Sequence, residues 1–417
     1  MRPSVNRQRI SPQRNNANGL PRKHKPDYIL LILVMILISI GLIVIYSISP
    51  GLSLNSGLPE NYYINRQMIS VVFGAFAFAA TAFMPLRFWF RIEKALIALA
   101  VLSALAVRVF GQEVNGAYRW IQMGGISFQS SELIKFTLLI WLAGFLAARI
   151  RNDTISDFKK TLLPILLVLF GLLLVVAGVQ SDLGSTTVMI AVIACMVLVA
   201  GLPMKKIILV GGLIVIAVFI AIASSSYRQQ RVMTFLHPSS NCQSSGYQTC
   251  QALIAVGSGG IFGLGLGRSV QAYGYLPEAA NDSIFAIYAE KFGFIGTTTF
   301  LLIFGALFIR LKHIIDRCPN NFSRLIVTGV LAWLSTQTFI NVGAMIGVLP
   351  LKGITLPFIS YGGTSMIFVL AAVGLVFHIS RYTLYTVPSK GIERDSHDDS
   401  HNGSRIRRTR YPISSSR

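Results

Sequence analysis

A chain of 417 residues that is 53% hydrophobic and only 13% charged, with a mean hydropathy of +0.61, carries more apolar surface than one water-soluble core can bury, which excludes a soluble globular domain. Its net charge of +21 invites a nucleic-acid reading. The basic residues, however, are scattered over separate segments without interleaved aromatic residues to stack bases, so nucleic acid is excluded as a partner and anionic lipid is the expected counterion.

In chain order, an N-terminal tail (1–27) rich in Arg, Asn and Pro reads as disordered and cytoplasmic. The first apolar run starts at Tyr28 at full span length, so no cleavable signal is expected. Ten segments follow that are long enough, or nearly so, to span a bilayer: 28–48, 68–84, 95–110, 133–148, 162–179, 183–202, 207–223, 284–309, 325–348 and 364–379. With the N-terminus inside, 28 of the 37 basic residues fall on inner loops and tails, which favours ten spans with both termini cytoplasmic. A second tail (386–417), rich in Ser, Arg and Asp, reads as disordered. The expected fold is an all-α polytopic membrane protein whose membrane domain covers 28–385, with a long outer loop (224–283) between helices 7 and 8.

The outer loops carry the polar residues that could do chemistry. In NGAYRWIQMGGISFQSSELIK (115–135), Arg119 beside Trp120 is either an interfacial anchor or a ligand for a lipid-linked anion. Glu132 and Lys135 stand three residues apart on one helix face, where pairing makes burial tolerable; this favours a structural pair over a catalytic one. Asp182, in VQSDLGS, is a helix cap or a site residue. Cys195 lies in a span and Cys318 in an inner loop, whereas Cys242 and Cys250 share the long outer loop and are either a disulfide or two free thiols. No Cys or His spacing suggests zinc.

The same outer loop holds a glycine-rich run (257–267) with no GK[ST], which argues against a nucleotide site and for a re-entrant or interfacial element pressed on the spans. Asp282 ends the loop, where partial desolvation suits a general base and where Asp also commonly caps a helix. Glu290 and Lys291 are charges within the eighth span, for which pairing between helices is the plain explanation. The most telling stretch is NVGAMIGVLPLKGITLPFISYGG (341–363): its five glycines, two prolines and Lys352 describe backbone that leaves the helix at membrane depth, as the wall of a cavity.

These strings, in this order and spacing from about Tyr28 to Tyr385, closely resemble the SEDS family (shape, elongation, division and sporulation), and most of all its cell-division branch. The resemblance implies a ten-span peptidoglycan glycosyltransferase of the bacterial cytoplasmic membrane, polymerising lipid II into glycan strands at the outer face, at the division septum, beside a class B penicillin-binding transpeptidase and other divisome membrane proteins. It places the family's essential loop aspartate on Asp282, its arginine before Trp on Arg119, its Glu and Lys pair on Glu132 and Lys135, its aspartate after the fifth span on Asp182 and its outer lysine on Lys352. Where the family usually has Pro, this chain has Ser130 and Ser181, implying softer loop starts; where it usually has His and Thr, this chain has Ala280 and Asn281.

Such a reaction needs cations for a departing pyrophosphate and a base for the attacking hydroxyl. Arg119, Lys352 and Arg268 are the outer cations, Asp282 is the candidate base, and Glu278, Ser360 and Tyr361 are further substrate-binding candidates. A divalent cation, Mg or Mn, could share the pyrophosphate charge, although no carboxylate cluster fixes its place. The same charges would also suit a lipid II transporter, or a non-catalytic scaffold for the transpeptidase, and an elongation or sporulation member of the family would share every motif.

Overall fold

An apolar run becomes a helix wherever its backbone can close its own hydrogen bonds, and several runs here are preceded by a side-chain acceptor that starts the first turn. The computed structural model describes residues 22–114, 117–123, 126–223, 229, 233, 235–236, 242–243 and 246–383, so most of both basic tails falls outside it. The helices are α1 (Tyr28–Asn55), α2 (Tyr62–Phe83), α3 (Leu86–Arg91), α4 (Glu93–Phe110) and α5 (Ser130–Arg151). They continue with α6 (Phe158–Val179), α7 (Leu183–Val199), α8 (Met204–Ala223) and α9 (Tyr247–Ser258). The last three are α10 (Ile284–Asp316), α11 (Asn321–Met345) and α12 (Gly363–Ile379). Among the described residues α1, α2, α5, α6, α10 and α11 are long and apolar enough to cross a membrane, and α7 and α12 are shorter apolar helices. Each expected span coincides with one helix; α3 and α9 are additional short ones.

Two small sheets accompany the helices without altering the all-α class. Strands β2 (Gln112–Val114), β3 (Ala117–Met123) and β4 (Ile126–Gln129) form an antiparallel sheet between α4 and α5. Its sequence holds Tyr118, Trp120, Ile121 and Phe128, residues that suit a pleated surface, with two glycines between β3 and β4. The pair β1 (Arg22–Lys23) and β5 (Tyr382–Thr383) joins the segment before α1 to the segment after α12. Asp27 secures that end: its carboxylate caps α1 through Leu30 N at 3.1 Å and accepts from Arg310 Nε at 2.6 Å, while its N–H donates to Ser380 Oγ at 3.0 Å.

At the opposite end of α11 and α12 the backbone of 346–362 leaves the helix and turns inward. Gly41, the fourteenth residue of the 28 in α1, has the backbone of Phe358 and Ile359 so close that a Cβ would stand 2.8 Å from the Phe358 carbonyl. The segment therefore reaches halfway along α1, about 20 Å from either helix end, and α1 can accept it only because residue 41 is glycine.

The glycine-rich run after α9 also folds back, onto α10. A Cβ on Gly259 or Gly263 would strike the backbone of Ala289 or Lys291, at 2.2 Å in each case. The docking works because α10 breaks at Gly293 (φ 63°), freeing main-chain groups there: Leu264 N donates to Glu290 O and Phe294 N to Gly260 O. This corrects the reading of Glu290 and Lys291 as a pairing between helices. Glu290 accepts from Ser269 Oγ and from the N–H groups of Val270 and Gln271, and Lys291 donates to the Leu266 carbonyl, so both charged groups are hydrogen-bonded by the glycine-rich loop. Cys242 and Cys250 are joined as a disulfide at the start of α9, while Cys195 and Cys318 are free.

The shared end of β1 and β5 gives the topology a direct check. A reporter fused after Val387 should remain cytoplasmic and one inserted near Ser244 should be exported; an exported C-terminal fusion would overturn the arrangement.

Candidate functional site

Five separate segments meet where 346–362 folds back: β3, the start of α7, α9, the turn before α10, and α11. The segment itself brings Lys352, flanked by Gly353 at φ 64°. Gly184, in the first turn of α7, lies against it, since a Cβ there would be 2.9 Å from the Lys352 carbonyl. Lys352 Nζ donates to Thr187 Oγ1 at 3.3 Å, and burial pushes its pKa below the ordinary lysine value.

Asp282 is buried, 7% exposed, and its Oδ1 accepts from Gln248 Nε2 of α9 at 3.3 Å. The residue at the N-cap of α10 is Ser283, not Asp282, so the capping alternative gives way. A Cβ on Gly353 would lie 3.7 Å from Asp282 Oδ2 and 3.8 Å from an Arg119 terminal nitrogen, so carboxylate and guanidinium converge on one point beside Lys352. Arg119 is aimed there from β3 by its other nitrogens, which donate to the carbonyls of Ser181 at 2.6 Å and Gln180 at 3.4 Å.

Ser181 and Ser130, where the family usually has Pro, both make contacts at the site. Ser181 adopts φ 52°, closed to proline, and turns its carbonyl onto Arg119; Ser130 Oγ accepts from Gln180 Nε2 at 2.9 Å. Asp182 is the N-cap of α7, accepting from Ser185 N at 2.9 Å, with Gln129 Nε2 at 3.5 Å from its other oxygen. It supports the site rather than pointing a free group into it.

The remaining candidates separate. Ser360 is buried, its Oγ accepting from Leu356 N at 2.7 Å. Tyr361 packs edge-on against Tyr63 at 5.3 Å and hydrogen-bonds Arg66, while its N–H donates to Ala280 O at 2.8 Å. Burial, partly offset by Arg66, pushes the Tyr361 phenol above its usual value. Glu278 is an exposed turn residue at φ 52° whose side chain accepts from Asn281, and Arg268 is exposed next to Ser269 in the glycine-rich loop. Among the described residues no three His, Cys, Asp or Glu side chains gather as a metal set.

Four polar residues escaped sequence reasoning. Arg66, 4.5 Å over the Tyr62 ring, lies in α2 just past a polar loop, a position that could have marked it. Gln248, Gln337 and Asn341 sit in apolar helices with no charge to draw the eye. Glu132 and Lys135 are buried at 2% and 3%, paired at 2.6 Å; Lys135 also reaches Gln337 Oε1 at 3.4 Å and lies 5.1 Å from the Trp333 ring centroid, while Glu132 Oε2 has no partner.

With this geometry in hand, comparison with known proteins is informative. Residues 27–385 match the FtsW, RodA and SpoVE family, described as cell cycle protein. A probable peptidoglycan glycosyltransferase FtsW of Neisseria gonorrhoeae is 36% identical over 392 residues, covering 85% of this chain and 84% of the relative. Stage V sporulation protein E of Bacillus subtilis is 35% identical over 367 residues, covering 87% and 99%. Among solved structures, a chain from work on a peptidoglycan synthase complex that coordinates polymerization and crosslinking superposes with a TM-score of 0.68 at 30% identity, covering 85% of this chain and 98% of that one. The rod shape determining protein RodA of Thermus thermophilus follows at 0.62 and 29%, covering 85% and 97%.

The buried pair makes its own prediction. Glu132→Ala strands Lys135 as an unpaired buried charge, at a cost of about 3 to 5 kcal/mol, and should lower membrane abundance; Glu132→Ala with Lys135→Ala should recover part of it. Normal abundance of both variants with activity lost in each would assign the pair to catalysis instead.

Proposed function

The chain belongs to the FtsW, RodA and SpoVE family of cell cycle proteins, and on that premise we propose that it is a peptidoglycan glycosyltransferase of the FtsW type, polymerising lipid II at the outer face of the cytoplasmic membrane during septal wall synthesis. Both termini are then cytoplasmic and the 346–362 segment opens outward. A class B penicillin-binding transpeptidase is the expected partner. The observation that carries the site assignment is the convergence of the Asp282 carboxylate and the Arg119 guanidinium above Gly353, one residue from Lys352.

The chemistry assigns one task to each group. An acceptor sugar hydroxyl loses its proton to Asp282 as its oxygen bonds to the anomeric carbon of the donor. The bond from that carbon to the pyrophosphate breaks, and the polyprenyl pyrophosphate leaves with the electron pair. Arg119 and Lys352 hold the charge that develops on it, in surroundings dry enough to strengthen the attraction. An α-linked donor yields a β-linked product in a single displacement, which one base suffices to drive. Arg119 suits planar, paired phosphate contacts, and the Ser181 carbonyl fixes its direction before substrate arrives.

Asp282→Asn keeps size and hydrogen-bonding capacity but cannot take up the proton. Polymerisation by the purified variant should fall by about 10² to 10⁴ with abundance and lipid II binding retained. A near-original rate would remove Asp282 from catalysis.

A second check uses Lys352. Because its folded pKa is depressed, its ammonium is lost as pH rises at a value below the ordinary lysine range. The alkaline limb of kcat/KM should therefore lie there, and Lys352→Arg, charged at every accessible pH, should keep partial activity and move that limb upward. An unmoved limb would show that another group titrates.

A further inference from the structure

Two amides one turn apart on α11 hold the site's loops. Asn341 is 2% exposed, and its Nδ2 donates twice, to Asp282 O at 2.7 Å and to Ile354 O at 2.7 Å. Both hydrogens of one amide thus join the turn that carries Asp282 to the segment that carries Lys352. Gln337 holds the next residue along: its Nε2 donates to Thr355 O at 2.8 Å. The direction of that amide is set from below, because its Oε1 accepts from Trp333 Nε1 at 2.7 Å and from Lys135 Nζ at 3.4 Å. Lys135 is in turn held by Glu132. A continuous set of contacts therefore runs from the intramembrane ion pair through α11 to the backbone of the candidate base.

The arrangement is not the cheapest way to bury these groups. Asn341 Oδ1 and Glu132 Oε2 are both buried without a partner, so the network gives up acceptor satisfaction at two places. What it secures is the placement of the Asp282 turn against the segment that bears Gly353, above which the Asp282 carboxylate and the Arg119 guanidinium converge. A displacement of about 1 Å in such a site can cost 10²-fold in rate.

We propose that Asn341 is a positioning residue for catalysis: its amide fixes Asp282 against Lys352 and Arg119, and Gln337, oriented by the Glu132 and Lys135 pair, fixes the far side of the same loop. This rests on the reading of Asp282 as the base. Asn341 touches no substrate in this scheme; it acts through the two carbonyls it binds.

The test uses the full-length protein with its transpeptidase partner and labelled lipid II. Asn341→Leu keeps the volume and removes both donors, and Asn341→Ser leaves one hydroxyl for two carbonyls. For Asn341→Leu, kcat should fall by about 10- to 100-fold with KM within about threefold, and Asn341→Ser should lie between it and the original. The acid limb of the pH profile should also move, since Asp282 would shift relative to Gln248, Arg119 and Lys352. A misfolded fraction would scale the whole profile without moving its limb, so an unmoved limb overturns the proposal, as does an original kcat. Failure of both variants to accumulate would assign Asn341 to folding and overturn it too. If Asp282→Asn is inactive while Asn341→Leu is not, only the positioning role falls; if Asp282→Asn is active, the base assignment itself has failed.

Discussion

The interaction on which the rest depends is the pair of hydrogen bonds from the Asn341 amide to the carbonyls of Asp282 and Ile354. Backbone that leaves the helix inside a bilayer loses its internal partners, and each unpaired polar group there costs several kcal/mol. The 346–362 segment meets that demand group by group: Asn341 and Gln337 serve the carbonyls of Ile354 and Thr355, Gln67 that of Ser360, and the Ala280 carbonyl receives the Tyr361 N–H. Satisfying the segment and assembling the site are thus one structural act, because the groups that satisfy it belong to the elements bearing Asp282, Arg66 and the Glu132 contact network.

A common logic links the buried charges. Glu132 with Lys135, and Glu290 with Lys291, each lie within a helix, and each set of contacts ends on a stretch of non-helical chain. In the first case the contact passes through Gln337 to the loop of Lys352; in the second it is direct, onto the glycine-rich loop docked at the Gly293 break. Charge inside the membrane is used here to hold irregular backbone, a task that apolar packing cannot perform with the same directionality.

Much of this was legible in the sequence. Apolar length located the helices, since it follows from bilayer thickness and needs no tertiary information. The glycines and prolines of 341–363 announced backbone that leaves the helix, and the family resemblance singled out Asp282, Arg119 and Lys352, which position alone left as a cap, an anchor and a lone loop charge. The β2–β4 sheet was missed because its strands are short, although the Asn115-Gly116 and Gly124-Gly125 pairs between them are turn signals. The partners of Glu290 were misjudged because a carboxylate in a span is expected to meet another helix, whereas the Gly293 break gave it loop N–H groups. Gln248, Gln337 and Asn341 were invisible for a simpler reason: an uncharged amide in an apolar helix announces nothing until its partners, 34, 18 and 59 residues away, are placed beside it.

The account makes this chain an enzyme that builds polymer rather than a carrier that moves its precursor. The most direct measurement gives the purified chain, reconstituted with its class B transpeptidase, fluorescent lipid II in the presence of penicillin and resolves the products by size. Long uncrosslinked glycan strands, absent when the chain is omitted, are the predicted result. Lipid II crossing the bilayer with no glycan formed would contradict it.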